Sequence, residues 1–155
     1  MRDDVIAAEA RRREASHHAG HRDFRPHLRP VGANLMGLRG EEAFAERFGL
    51  QVDLTPRLDG DGHVDMQLTL RTTYKIDCKA ALVPKDLIVE VGKCFPRTIY
   101  VLCRYHEDTD SCTLLGWQWG SVLLKTAPKD YGKGVMNHWW PGNRLRWISE
   151  LEERL

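Results

Sequence analysis

The chain has 155 residues, 42% of them hydrophobic and 29% charged, and a formal net charge of +1. That length suits one domain that buries about two-thirds of its unfolded surface, and the composition excludes a disordered or low-complexity chain. No run approaches the ~20 apolar residues of a membrane-spanning helix, and the near-neutral total excludes a uniformly basic nucleic-acid binder, so phosphate contacts have to come from local charge.

In chain order, residues 1–33 read as an N-terminal helical arm. The segment DDVIAAEARRREASHHA is rich in alanine, glutamate and arginine, and Gly20 marks its stop. HRDFRPHLRPVGA, with two prolines, reads as an extended connector. Residues 1–40 hold eight arginines and four histidines against five acids, so the arm leans positive. The start MRDDVIAAEARRR lacks an apolar signal stretch, and Cys78, Cys94, Cys103 and Cys112 form no CxxC pair; both point to reduced thiols in a cytoplasm.

Residues 34–155 read as the domain. Asn34 is the expected cap of a helix whose apolar positions Leu35, Leu38, Ala43, Phe44, Ala45 and Phe48 recur at helical spacing until Gly49. After a turn-rich stretch, HVDMQLTL alternates strictly, with Val64, Met66, Leu68 and Leu70 on one face and Asp65, Gln67 and Thr69 on the other. TYKIDCK alternates again: Tyr74, Ile76 and Cys78 against Lys75, Asp77 and Lys79. DLIVEVG, TIYVLCRY and CTLLGWQW suit further strands, residues 120–126 a short helix, and RLRWISELEERL a C-terminal helix.

The first two strands carry the chemistry. A turn centred on Arg71 sets Asp65 opposite Asp77, with Cβ atoms ~5 Å apart, and brings His63 near Lys79. Like charges so placed need a cation, a proton or a basic neighbour. Magnesium, which prefers few carboxylates plus water and phosphate oxygens, meets that need. Lys79 lies two residues after Asp77 and so on the same face, where an ammonium can orient water or stabilise developing charge in phosphodiester hydrolysis.

Through GLRGEEAFAERFGL, DGDGHVDMQL and YKIDCKA, over roughly residues 37–104, the chain resembles the PD-(D/E)xK nuclease superfamily, with the style of small phage-type or mobile-element endonucleases. Val64 stands where the family has proline before the first acid. The resemblance implies a restriction-endonuclease-like α/β core, a central mixed sheet flanked by helices. Its first acid matches Asp65, its second Asp77 and its lysine Lys79, with the carbonyl of Cys78 as a further metal ligand. Glu41 best fits the additional helical acid, ahead of Glu42 and Glu46. The implied activity is hydrolysis of DNA, duplex or branched, with Mg2+ or Mn2+. The alternative is an inactive nucleic-acid-binding module of the same fold in a replication, recombination or defence complex. Symmetric cutting of a duplex would call for two active sites and hence a homodimer.

Lys125, Lys129, Lys133, Arg144 and Arg146, opposed between residues 121 and 147 by Asp130 alone, are the candidate phosphate contacts. Among the five tryptophans, Trp139 and Trp140 are the candidates for DNA contact, with packing the favoured role even there. His17, His18 and His21, and Cys94, Cys103 and Cys112 with His106, lack the paired spacing of a structural zinc motif. As plainer readings, the charged hairpin face is an amphipathic surface with ion pairs worth a few tenths of a kcal/mol, and Glu41 and Glu42 answer the helix dipole.

Overall fold

The structure, a computed structural model, describes residues 30–50 and 66–155. The predicted first helix of the arm, His63, Val64 and Asp65 lie outside the described residues.

Helix α1 spans Pro30–Phe48. It begins earlier than the expected cap at Asn34, which lies within it. Proline is at home in the first helical turn, where its missing N–H costs nothing and its φ is already helical. The end is as the sequence predicts. Gly49 takes φ 65° and the Leu50 N–H reaches back 2.8 Å to the Ala45 carbonyl, closing the last turn.

Strands β1 (Met66–Thr69) and β2 (Thr73–Ala81) form the predicted antiparallel hairpin, in the predicted register: Met66 pairs with Ile76 and Thr69 with Thr73. Strands β4 (Thr98–His106) and β5 (Ser111–Trp119) complete a mixed four-stranded sheet in the order β1-β2-β4-β5. β2 and β4 are parallel, so a crossover has to join them. Residues 82–97 provide it, and within them β3 (Asp86–Glu90) leaves the main sheet altogether. It pairs with β7 (Met136–Pro141), which also pairs with the two-residue β6 (Lys129–Asp130), giving a second antiparallel sheet β3-β7-β6. Short helix α2 (Gly120–Leu123) follows β5, and α3 (Ile148–Glu153) follows a 3-10 turn at Gly142–Arg144.

The fold is therefore mixed α/β in three layers. Helices cover one face of the main sheet, where Phe44, Ile76, Val101, Trp117 and Leu151 share a core. The other face meets the second sheet and α2 rather than a helix layer, through Leu87, Val89, Tyr100, Leu102 and Leu123. β4 lies between both cores, which is why six consecutive residues from Thr98 to Cys103 are buried. Among the described residues no helix is long and apolar enough to cross a membrane.

The turn from β4 to β5 is tied to α1 by Asp110. Its carboxylate accepts hydrogen bonds from the buried Arg39 guanidinium at 2.6 Å and from the Tyr105 hydroxyl at 2.7 Å. The Arg39 hydrogen bond, with that of Tyr105 behind it, holds this carboxyl below the ordinary aspartate range. A depressed folded-state pKa stabilises the fold above the unfolded value of about 4, and that contribution is lost as pH falls through the folded-state value. Asp110→Asn should thus cost about 1 kcal/mol at pH 7, a modest figure because the Asp110 side chain is 42% exposed. The gap from wild type should narrow as pH falls below the unfolded value of about 4 in urea unfolding followed across pH. A constant gap at every pH would mean the carboxylate charge is idle.

Candidate active site

Period-two alternation along β2 turns Ile76 and Cys78 toward the helices and Asp77 and Lys79 toward the second sheet. There the Lys79 ammonium lies 3.2 Å from an Asp77 carboxylate oxygen, with the two side chains 35% and 20% exposed. Their neighbours on β4 are Tyr100 beside Asp77 and Leu102 beside Lys79. The Tyr100 hydroxyl accepts from the Phe95 N–H at 3.0 Å and donates to the Lys93 carbonyl at 3.3 Å. Burial raises the Tyr100 phenol well above its usual range, and the charge of Asp77 adds a smaller push in the same direction. The Cys94 thiol is also raised by burial, against an opposing pull from the Lys79 charge. The pair thus sits at the edge of a dry floor, where its field is less screened than in open water.

Beside it opens a groove of about 480 Å³, a volume suited to a ligand, walled by both sheets, the connection between them and Gly37 of α1, and including Lys79, Lys85, Asp86 and Tyr131. The Tyr131 hydroxyl donates to Asp86 at 2.9 Å, and Lys129 lies 4.9 Å from the Tyr131 ring centroid. Burial, then the hydrogen bond to Asp86, pushes the Tyr131 phenol up to about 12, so it stays a neutral donor at physiological pH. Lys79 and Lys85 put positive charge at the wall of this groove, and Lys129 adds more beside Tyr131.

Lys85, Asp86 and Tyr131 carry no motif in the sequence. They reach the groove only because β3 departs to a second sheet and the β6–β7 turn folds back over it. That turn has a local signal in DYGKG: the Asp130 carboxylate accepts from the backbone N–H groups of Gly132, Lys133 and Gly134 at 2.8, 3.1 and 3.2 Å.

Glu41 comes to β2 from the other side. It is 6% exposed on α1, whose Gly40 packs against Cys78 and Ala80: a Cβ there would stand 3.5 Å from the Cys78 Cβ. A hydrogen bond with Cys103 and burial hold the Cys78 thiol well above its usual range, and the charges of Glu41 and Asp77 add to this. Glu41 and Asp77 therefore approach the same stretch of β2 from opposite faces. Glu42 pairs with Arg39 at 3.0 Å and Glu46 is exposed.

The five proposed phosphate contacts do not form one cluster of equivalent side chains. Lys125, Lys133 and Arg144 are exposed, and Lys129 lies over the rings of Tyr131 and Trp139. Arg146 is half-buried, its guanidinium donating to Gln118 at 3.3 Å and to Glu150 at 2.8 Å. Trp139 and Trp140 are partly buried strand residues whose indole N–H groups donate to the carbonyls of Ala127 and Arg144. Cys94 and Cys103 belong to different cores on the two sides of the main sheet.

Among the described residues no three His, Cys, Asp or Glu side chains converge as a metal centre. One partly exposed carboxylate, Asp77, faces the second sheet beside Lys79; its hard oxygens suit magnesium, which needs one or two such groups beyond water and phosphate. The second carboxylate of the sequence reading is Asp65, outside the described residues. No family model, curated protein or solved structure matches this chain.

Proposed function

We propose that the protein is a metal-dependent endonuclease with a restriction-endonuclease-like core, acting on DNA at the Asp77–Lys79 edge of the groove. The observation that carries this reading is the 3.2 Å Asp77–Lys79 pair on the groove side of β2, preceded by a hairpin whose register is the predicted one. Continuing that register by one position is the basis for assigning Asp65 as the partner of Asp77.

In this reading Asp65, Asp77 and the carbonyl of Cys78 would hold Mg2+ or Mn2+, with Glu41 acting from the opposite face through a water. When bound, the ion supplies phosphoryl polarisation and a water of lowered pKa. The residues of the chain do the rest. Lys79 orients the attacking water or meets the charge that develops on the phosphate oxygens. Lys85 donates hydrogen bonds from the groove wall, where Tyr131 holds Asp86 in place. Lys125, Lys129, Lys133 and Arg144 supply affinity without sequence choice, and Arg146 does so only to the extent that Glu150 releases it. Two copies would serve the two strands of a duplex.

The test is a cutting assay on plasmid, linear, single-stranded and branched DNA, with magnesium, with manganese and with chelator, comparing wild type with Asp77→Ala and Lys79→Ala. Metal-dependent cutting by wild type that both substitutions suppress is the expected result. No cutting by wild type on any substrate, with DNA binding retained, would replace the enzyme by a binding module of this fold.

A further inference from the structure

A second concavity, of about 460 Å³, lies at the other end of the β1–β2 hairpin and is lined by Leu70, Arg71, Thr72, Tyr74, Trp119 and Arg154. Tyr74 shares the helix-side face of β2 with Ile76 and Cys78, so this hollow and the Asp77–Lys79 pair occupy opposite faces of the main sheet.

Three of its lining side chains carry donors that meet no partner among the described residues. Trp117, Trp139 and Trp140 each spend the indole N–H on a backbone carbonyl, at 2.9, 3.0 and 2.9 Å. Trp119 is half-buried too, yet among the described residues its N–H has no acceptor, nor does the Tyr74 hydroxyl bond to any group, nor does Arg71 make an ion pair. Buried or half-buried tryptophan and tyrosine normally find such partners. Arg154 stacks its guanidinium 5.4 Å from the Trp119 ring centroid and 6.0 Å from that of Trp117, and pairs with Glu150 at 3.3 Å. None of the six lining residues is acidic.

The rings are positioned to receive a third. Trp119 packs edge-on to Trp117 at 4.7 Å and stands at 51° to Tyr74 at 5.1 Å, so its neighbours hold its plane while the described residues leave the hollow open. Two guanidiniums match a group of charge near −2, which a terminal phosphate monoester carries at neutral pH and an internal phosphodiester does not. A planar base would pack against the rings of Trp119 and Tyr74 beside these cations.

We propose that this hollow binds a nucleoside 5′-monophosphate unit, either free or as the phosphorylated end of a single strand. The assignment stands apart from the nuclease reading, because it uses none of that site's residues.

The experiment is isothermal titration of the full chain with AMP, adenosine, phenyl phosphate and a 5′-phosphorylated oligothymidylate, with the Trp119 indole N–H signal followed by NMR. AMP or the 5′-phosphorylated strand should bind and shift that signal, with adenosine and phenyl phosphate at least tenfold weaker. Arg71→Gln/Arg154→Gln, both at exposed positions, should weaken binding at least tenfold with the melting temperature unchanged, and Asp77→Ala should bind as wild type. Binding of the strand but not of AMP would identify the strand end as the source, and binding of both would identify the nucleotide itself. The proposal is overturned if neither phosphate-bearing nucleotide probe binds, if adenosine or phenyl phosphate binds as well as they do, or if the double variant binds undiminished.

Discussion

Asp77→Ala is expected to reduce metal-dependent DNA cutting by about 10³-fold or more while moving the melting temperature little. The first figure follows from removing one carboxylate of the proposed metal site, which would place charge against the reacting phosphate, an effect of the size seen when one preorganised electrostatic group is deleted. The second follows from geometry. Asp77 is 20% exposed and its ion-pair partner, Lys79, is 35% exposed. Such a pair contributes about 0.2–1 kcal/mol to folding. Lys79→Ala should cost about 10²-fold in cutting, since a bound ion would still hold the phosphate and only water orientation and charge stabilisation are lost. Initial rates at saturating magnesium, alongside thermal melts of each variant, separate the two effects. If the hairpin face is merely solvated charge, cutting will be equal in wild type and both variants, and the site must be sought elsewhere.

Gly120→Ala should destabilise the protein by about 3 kcal/mol or more, beyond most overpacking substitutions. A Cβ at this position would stand 1.9 Å from the Phe95 carbonyl oxygen and 2.9 Å from that of Thr98. Both are backbone atoms of the turn that enters β4, and the Thr98 N–H already bonds the Phe95 carbonyl at 3.3 Å. No side-chain rotation relieves the contact; the turn has to move, and β4 begins there with a run of buried residues anchored on both sides. Ser121→Ala, one residue on and exposed, should cost under about 0.5 kcal/mol. Urea unfolding of the two variants checks the contrast, and a loss below about 1 kcal/mol for Gly120→Ala would show that the β5–α2 junction yields more easily than its contacts suggest.

Legibility in the sequence followed the range of the interactions involved. Strands β1 and β2 were readable because alternation is local: Met66, Leu68, Ile76 and Cys78 are buried in the order the pattern demands, and a short turn leaves one register. Helix α1 was readable at its glycine end, where Gly49 supplies the left-handed residue. It was misplaced at its start, because Pro30 was read as a breaker and not as a first-turn residue. Strand β7 went unread. Its sequence MNHWWP carries tryptophans, a histidine and a proline, all of which also suit a binding loop, and only its pairing with β3 makes it a strand.

By itself the sequence determined which residues share a face and where chain reversals fall, since both depend on backbone geometry over a few residues. It thereby placed Asp77 and Lys79 on one face of β2. Tertiary structure alone decided that β3 would leave the main sheet, that Lys85 and Tyr131 would wall the groove beside Lys79, that Glu41 would meet β2 from the opposite face, and that Arg71 and Arg154 would flank Trp119. Those outcomes depend on which of several half-buried surfaces pack against one another. That choice is set by the summed burial of segments far apart in the chain, and no short stretch of residues encodes it.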